Sequence, residues 1–299
     1  SNGNQPYKIM PHMPKVICGI AELVLDGDPN SDVRPTAKGM VAAVGVETVD
    51  FKPPFQLKNK IESYLQDVID CMQKSLRDAT LLSLKNEAST VREEWLYQDP
   101  AQITVLVSQM SWVKEVENNL DALKGGASTA LTDYSDKFID GLSKLIAMAR
   151  TPLSKPERTR VMVLITMDTH NRDINIKLIK EKVVDKENFL WASQLRPKWL
   201  ESESKAQFFI CDAHVDYGNE YLGNGPRLVV TPLTDRIYVT ATQAQHLCMG
   251  CAPAGPAGTG KTETTKDLSS NCAVPIYVFN CAPEMDYRSL GDIFKGLAA

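Results

Sequence analysis

Eight consecutive residues carry the types and the spacing needed to bind a phosphate group. The pattern G-x-x-x-x-G-K-[ST] is matched at every required position by Gly255, Pro256, Ala257, Gly258, Thr259, Gly260, Lys261 and Thr262. In such a loop the glycines let backbone N–H groups surround phosphate oxygens, the lysine meets the β- and γ-phosphates, and the hydroxyl ligates Mg²⁺. The run therefore predicts a site for a nucleoside triphosphate, with Lys261 as its cation and Thr262 as its magnesium ligand.

The residues after this loop must position it toward the phosphates. Residues 262–268 predict a helix whose N-terminal dipole faces the bound anion. Residues 275–280 form an apolar run that is typical of a short buried strand. A loop, a helix and a strand in this order are what a nucleotide site in an α/β sheet requires. We therefore expect a fragment of parallel sheet in the last third of the chain.

Composition narrows the class of protein. The 299 residues carry a net charge of −4, with 43% hydrophobic and 23% charged residues, which is typical of a soluble globular protein. This balance predicts no nucleic-acid partner, and the sequence has neither a signal-peptide pattern nor an apolar run that predicts a membrane span. Seven scattered cysteines favour a reducing intracellular compartment. Because the chain begins with Ser1 rather than Met, we interpret it as a piece of a longer protein.

Hydrophobic periodicity predicts that the first two thirds of the chain are mostly helical. In the first fifty residues, proline and glycine separate short apolar runs such as 16–25 and 40–46. This pattern predicts irregular or weakly stranded structure. Further on, apolar residues recur every three or four positions. The four long predicted helices cover residues 57–76, 100–116, 130–149 and 157–183. Ser154 and Glu157 have the spacing of a capping box, and a shorter helix holds Phe189, Trp191 and Leu195.

The pattern changes near Ala206. Residues 208–211 and 227–230 are predicted strands, separated by a turn rich in glycine and asparagine. We therefore predict two domains, 1–205 and 206–299, with the boundary in the charged stretch 201–205. The predicted fold class is α/β overall, with a mostly helical first body followed by a partial phosphate-loop α/β domain.

Two ordered sets of segments resemble dynein heavy chains. The segments that resemble the start of the first AAA+ module are residues 221–224, 226–236, 255–267, 278–281 and 285–287. Those that resemble the end of the dynein linker are Thr169-His170-Asn171-Arg172-Asp173, residues 189–191 and residues 194–196. The likeness is most specific after Tyr221 and faint before Leu57. The run 263–267 is more similar to axonemal than to cytoplasmic dyneins.

The resemblance implies a function. It identifies the chain as an ATP-binding fragment of a microtubule motor, with ATP or ADP and Mg²⁺ as cofactors. The other AAA+ modules, other dynein chains and microtubules would be partners of the full-length protein, in the cytoskeleton and in the axoneme of a cilium or flagellum. There, ATP binding and hydrolysis would move the linker. The Walker B acids, sensors and arginine finger of the family lie outside this chain, so the resemblance implies no catalytic residue within it.

The resemblance also implies two further contacts with the nucleotide. In AAA+ proteins the segment that corresponds to residues 228–233 lies beside the adenine. The members that we predict to contact the base are Leu228, Val229, Pro232 and Leu233. The alternative is an ordinary core strand that ends at Pro232. Glu263 follows the loop as in dyneins, or it only complements the helix dipole.

Other reactive residues favour packing over chemistry. Cys248 and Cys251 have C-x-x-C spacing, which could serve zinc or redox chemistry, but a second pair is lacking and His246 is the nearest extra ligand. We interpret both thiols as packing residues. Asp168, His170 and Asp173 crowd one predicted helix but point in different directions, so a metal site there is improbable.

Two other functions stay open from the sequence. One is a phosphotransferase with the same loop, such as a small-molecule kinase, although those enzymes usually place it near the N-terminus. The other is a non-catalytic interaction fragment with only vestigial nucleotide binding.

Overall fold

The computed structural model describes residues 6–28, 33–43, 47–58 and 60–298. The chain begins with short helical turns at Pro6–Lys8 and Met10–His12 and with α1 (Met13–Val16). A three-stranded antiparallel sheet of β1 (Ile20–Asp26), β2 (Thr36–Ala42) and β3 (Thr48–Gln56) follows. The prediction of weak strands was therefore too cautious for this region. Part of the apolar run at 40–46 (residues 44–46) lies outside the described residues.

Six helices follow this sheet. Their bounds are α2 Ile61–Glu87, α3 Arg92–Trp95, α4 Ala101–Lys124, α5 Ala130–Ala149, α6 Lys155–Lys180 and α7 Phe189–Ala192. The predicted helix at 130–149 is confirmed at both ends, and the one that opens at Pro100 is confirmed at its start, where Pro100 is the N-cap. The helix predicted at 57–76 begins later, at Ile61. Leu57 lies before it and is buried in the same core cluster as the helix. The last short helix ends before Leu195.

Helix α4 is the centre of the molecule. All ten residues from 101 to 110 are buried, so its N-terminal half is enclosed on every side. Ile103 and Val107 pack with the first sheet and α2, whereas Leu106 and Met110 pack with a second sheet. Farther along, Trp112 meets Trp191 of α7 with 5.2 Å between ring centroids. One helix therefore joins three hydrophobic clusters.

The capping box predicted from Ser154 and Glu157 is confirmed. The Glu157 backbone N–H donates to Ser154 Oγ, and the Ser154 N–H donates to Glu157 Oε2 at 2.9 Å. These bonds satisfy donors that the first turn of α6 would leave unpaired.

A second antiparallel sheet follows α7. It contains β4 (Arg196–Leu200), β5 (Lys205–Ile210) and β6 (Ala213–Asp216). The predicted strand at 208–211 is correct except for Cys211, which lies in the turn to β6 with a φ of 47°. The predicted domain boundary at 201–205 falls at the turn between β4 and β5, so it divides a hairpin. The division into 1–205 and 206–299 stays a prediction.

The remaining regular elements that the structure describes are α8 (Pro232–His246), α9 (Lys261–Cys272) and α10 (Tyr287–Ala298). The predicted strands at 227–230 and 275–280 are wrong, since neither segment pairs with a neighbour, and the parallel sheet is wrong for the same reason. Tyr277, Val278 and Phe279 are about half exposed. An apolar run becomes a strand only where a neighbouring strand accepts its backbone hydrogen bonds. Among the described residues, no helix is long and apolar enough to cross a membrane.

Candidate nucleotide-binding site

The phosphate loop takes the backbone course that its glycines permit. Gly258 and Gly260 both have a φ of 78°, a left-handed conformation that side chains disfavour. Gly260 is the N-cap of α9, so the helix begins at Lys261 as the last residues of the motif require. The predicted helix at 262–268 is thereby confirmed. The first backbone N–H groups of α9 lie at the loop, where an anion is stabilised by the helix dipole.

The Lys261 amine lies inside the loop. Its Nζ donates to the carbonyl oxygen of Gly255 at 2.8 Å, to that of Pro256, and to Thr259 Oγ1 at 3.4 Å. Thr259 Oγ1 also donates to the Pro256 carbonyl oxygen at 2.9 Å. These acceptors hold the cation where the motif needs it. When a phosphate binds, its charged oxygens would replace these loop oxygens as the hydrogen-bond acceptors of the Lys261 amine.

The first turn of α9 presents Thr262 and Glu263 to solvent. The exposed Thr262 hydroxyl is of the oxygen type that Mg²⁺ prefers, so this position fits the predicted ligand. Glu263 Oε1 forms an ion pair with Lys266 Nζ at 2.8 Å, one turn further along the helix. This pairing and its place in the first turn suit the dipole interpretation, while a contact of Glu263 with nucleotide stays a prediction.

The residues predicted to contact adenine are exposed. The exposed fractions are 37% for Leu228, 72% for Val229 and 67% for Leu233. Pro232 is also exposed and is the first residue of α8, with Thr231 as the N-cap. These side chains do not bury one another as those of a core strand would. Their contact with a base therefore stays a prediction.

Asp267 connects the elements around the site, and the sequence did not single it out. It is buried on α9, and its Oδ1 accepts from the Leu228 backbone N–H at 3.2 Å. Its Oδ2 accepts from the Tyr238 hydroxyl at 2.6 Å and from Asn271 Nδ2 at 3.1 Å. Burial and the Asp267 charge both raise the pKa of Tyr238. One carboxylate thus ties the helix of the phosphate loop to α8 and to the predicted base-contacting segment.

Residues 217–222 fasten this region to the helical body. Gln102 of α4 donates to the Tyr217 hydroxyl and to the Glu220 carbonyl oxygen, both at 2.8 Å. Its Oε1 accepts from the Leu222 backbone N–H at 2.9 Å. On the other side, the Gly218 N–H donates to the Cys272 carbonyl oxygen at 2.9 Å, and a Cβ at Gly218 would lie only 2.4 Å from the Ala273 carbonyl oxygen. The segment is therefore clamped between α4 and the end of α9.

Glu47 is a second connection that sequence patterns did not reveal. Its Oε1 accepts from the Ala101 N–H at the start of α4, at 2.9 Å, and from the Arg160 guanidinium of α6. Its Oε2 accepts from the Tyr221 hydroxyl at 2.8 Å. The partners are between 54 and 174 positions away in the chain. No local pattern could have indicated such contacts.

The remaining candidate residues, which the sequence suggested for metal or thiol chemistry, do not form a common site in the structure. His170 Nε2 lies 3.9 Å from Asp235 Oδ1 of α8, and burial lowers the pKa of His170. Asp168 instead pairs with Arg92 at 2.8 Å. Cys248 and Cys251 are both exposed in the segment that follows α8, which contradicts their interpretation as packing residues. Within the described ranges, no group of three or more metal-ligating side chains is assembled.

The loop geometry places the chain in a class of protein, and comparison with known sequences gives the family. A glycine loop that turns into a helix at a Lys-Thr pair defines the phosphate-loop nucleotide-binding proteins. Residues 217–299 match the family described as the hydrolytic ATP binding site of dynein motor region, and residues 1–83 match dynein heavy chain, N-terminal region 2. Together the two matches cover more than half of the chain. The chain belongs to the dynein heavy chain family.

Individual relatives agree with these matches. The chain is 47% identical to the dynein alpha chain of the flagellar outer arm of Chlamydomonas reinhardtii over 302 aligned positions. It is 40% identical to the ciliary dynein beta chain of Tripneustes gratilla and 41% identical to human dynein axonemal heavy chain 9, each over 298 positions. All three alignments cover 100% of this chain but only 7% of the relative. The chain therefore spans a small part of the length of the curated relatives it matches.

Proposed function

We propose that this chain binds ATP or ADP with Mg²⁺ as the start of the first AAA+ module of an axonemal dynein heavy chain. The single observation that carries the proposal is the loop at 255–262, in which Lys261 Nζ is held among loop oxygens at the start of α9. The match of residues 217–299 to an ATP-binding region of the dynein motor supports the same assignment.

Each residue of the loop has a distinct role in this proposal. Backbone N–H groups around Gly258 and Gly260 surround the phosphate oxygens, and Lys261 neutralises the β- and γ-phosphates. Mg²⁺, held through the Thr262 hydroxyl, supplies charge that bridges those phosphates. Leu228, Val229, Pro232 and Leu233 close over the adenine when nucleotide binds, which would bury apolar side chains that are now exposed.

The helical body is the C-terminal part of the linker in this proposal. In the whole heavy chain, ATP binding and hydrolysis would shift the linker and drive movement on microtubules in the axoneme of a cilium or flagellum. The direct bonds of Gln102 and Glu47 to residues 217–222 give that coupling a physical route. We assign no water-activating acid and no arginine finger to this chain, so it binds nucleotide without turnover.

Titration of the chain with a fluorescent ATP analogue, with and without Mg²⁺, tests this function. We expect Lys261→Ala to raise the dissociation constant at least about tenfold, because a charge-assisted contact with phosphate is worth about 1.5–3 kcal/mol. Thr262→Ala should instead reduce the effect of Mg²⁺ on binding. Lys266→Ala is the matched control, since Lys266 is a cation of the same helix that pairs with Glu263 outside the loop.

The outcomes separate the proposal from its alternatives. Equal loss of binding in the Lys261 and Lys266 variants, with unchanged circular dichroism, would indicate a general charge effect and contradict the site. An interaction fragment with vestigial binding would show no saturable binding at millimolar nucleotide. Phosphate transfer from ATP to a small molecule by the chain alone would favour the phosphotransferase.

A further inference from the structure

A partly enclosed cavity, lined by apolar and polar side chains, lies between the helical body and the segment that leads to the phosphate loop. One wall comes from α4, α6 and the sheet of β4–β6, and the other from Arg227, Val230 and the start of α8. The space open to the centres of water molecules is about 40 Å³. Since one water needs roughly 10–15 Å³ measured in this way, the cavity has room for about three.

Several polar atoms of the residues that line this cavity have no hydrogen-bond partner among the described residues. Asn171 of α6 is completely buried, and neither its Nδ2 nor its Oδ1 is hydrogen-bonded to any described residue. Gln109 Nε2 of α4 and Arg227 Nη1 are further donors without a partner in the described part of the chain. Gln194 Oε1 is buried near His170 but has no hydrogen bond of acceptable geometry there. All four residues line the same cavity.

The mixture of hydrogen-bond donors and acceptors indicates which kind of molecule can occupy the cavity. Among the described residues, both donor and acceptor groups without a partner belong to residues that line the space, and apolar side chains such as Leu106 and Phe208 complete the lining. An anion would meet the acceptors of Asn171 and Gln194 together with the Asp235 carboxylate, and a cation would meet Arg227. A small neutral molecule that both donates and accepts fits every group. Each of these polar groups would otherwise stay buried and unpaired at a substantial cost in stability.

We propose that this cavity binds a cluster of about three water molecules that hydrogen-bonds Asn171 to Gln109 and to Arg227. The cluster is a structural ligand of the junction. It joins α4 and α6 of the body to the residue that precedes the predicted base-contacting segment, beside the direct bonds of Gln102. The inference rests on cavity geometry and does not require that nucleotide binds.

Nuclear magnetic resonance of the ¹⁵N-labelled chain tests the proposal directly. We expect cross-peaks of the nuclear Overhauser type between water and the side-chain amide protons of Asn171. Asn175 is the matched control, because it lies one turn further along α6 and is equally buried but does not line the cavity. Its Oδ1 accepts directly from Trp112 Nε1 at 3.1 Å, while its Nδ2, like that of Asn171, has no partner among the described residues. Contact with the cavity is therefore what distinguishes the two amide groups. No comparable cross-peak is expected there.

A substitution gives the second readout. In a dry cavity Asn171→Leu would remove an unpaired amide and lower the unfolding equilibrium constant. With bound water it removes the central partner of the cluster, so we expect that constant to rise about tenfold or more. If the variant does not fold, Gln109→Met probes the same cluster from α4 with the same expected sign.

Four results would overturn the proposal. The first is the absence of a water cross-peak at Asn171, and the second is equal cross-peaks at Asn171 and Asn175, which would mean unspecific penetration of solvent. The third is stabilisation by Asn171→Leu. Cross-peaks from Asn171 to non-exchangeable protons of another small molecule would replace water as the occupant and would also overturn it.

Discussion

At the scale of single residues, burial and the presence or absence of an ion pair determine the pKa of the carboxyl groups. Glu220 lies in the clamped segment 217–222 and is only 6% exposed. Burial raises the pKa of its carboxyl to about 7, and no cation in the described part of the chain offsets this shift. By contrast, the Asp168 carboxylate is more deeply buried but pairs with Arg92 at 2.8 Å, which opposes the effect of burial on its pKa. Glu220 is therefore a charge that the fold tolerates poorly at neutral pH.

This difference predicts a pH-dependent effect of Glu220→Gln. A carboxyl whose pKa is raised on folding binds its proton more tightly in the folded state, so its stabilising contribution is lost as pH rises from about 4.5 through 7. We expect Glu220→Gln to stabilise the chain by about 1–2 kcal/mol at pH 8, after allowance for solvent screening. Near pH 4 the two proteins should have nearly equal stability. Urea unfolding at both pH values measures the difference, and Glu203→Gln, at an exposed ion pair, is the control for the loss of a surface carboxylate.

At the scale of elements, local signals decide which sequence predictions are correct. The bounds of α5, the Pro100 cap of α4 and the capping box of α6 all follow from residues within one turn of the helix end. The phosphate loop is equally local, because its glycines and Lys261 are adjacent in sequence. The strands at 227–230 and 275–280 failed because strands depend on a distant neighbour. Asp267, Gln102 and Glu47 were missed for the same reason, since their partners are far away in the chain.

Because the α6 cap is local, its loss should be measurable but modest. Ser154→Ala removes the acceptor for the Glu157 N–H and leaves that donor to solvent. We expect a loss of about 1 kcal/mol in the free energy of unfolding, the usual cost of such a cap. Chemical denaturation measures it, and Ser143→Ala is the control, since Ser143 is an exposed serine inside α5 that bonds only within its own helix. Nucleotide binding should be unchanged, because no hydrogen bond among the described residues joins Ser154 or Glu157 to the phosphate loop. An equal effect of both substitutions would contradict the role of the cap.

At the scale of the whole molecule, one polar network centred on Glu47 unites elements that are far apart in sequence. Glu47 precedes β3 and bonds the first residue of α4, Arg160 of α6 and Tyr221 of the clamped segment. Arg160 in turn donates to the carbonyl oxygens of Leu96 and Asp99 at 2.7 and 2.8 Å. The side chains of Glu47 and Arg160 are only 15% and 12% exposed. Water therefore cannot readily replace the bonds of this network.

The last prediction follows from the charge of this network. Glu47→Gln keeps the shape of the side chain but leaves Arg160 without its carboxylate, and it replaces the charge-assisted bond from the Tyr221 hydroxyl with a bond to a neutral amide. We expect it to cost about 2–4 kcal/mol of stability, because a nearly buried partner remains uncompensated. Tyr221→Phe should cost about 1 kcal/mol, and the double variant should cost less than the sum, since both substitutions remove the same bond. Urea unfolding of all three variants gives the coupling energy, and hydrogen exchange should show faster opening of residues 217–222 in each. Additive costs, or unchanged exchange in that segment, would mean that Glu47 stabilises the first sheet and α4 without holding the segment that leads to the phosphate loop.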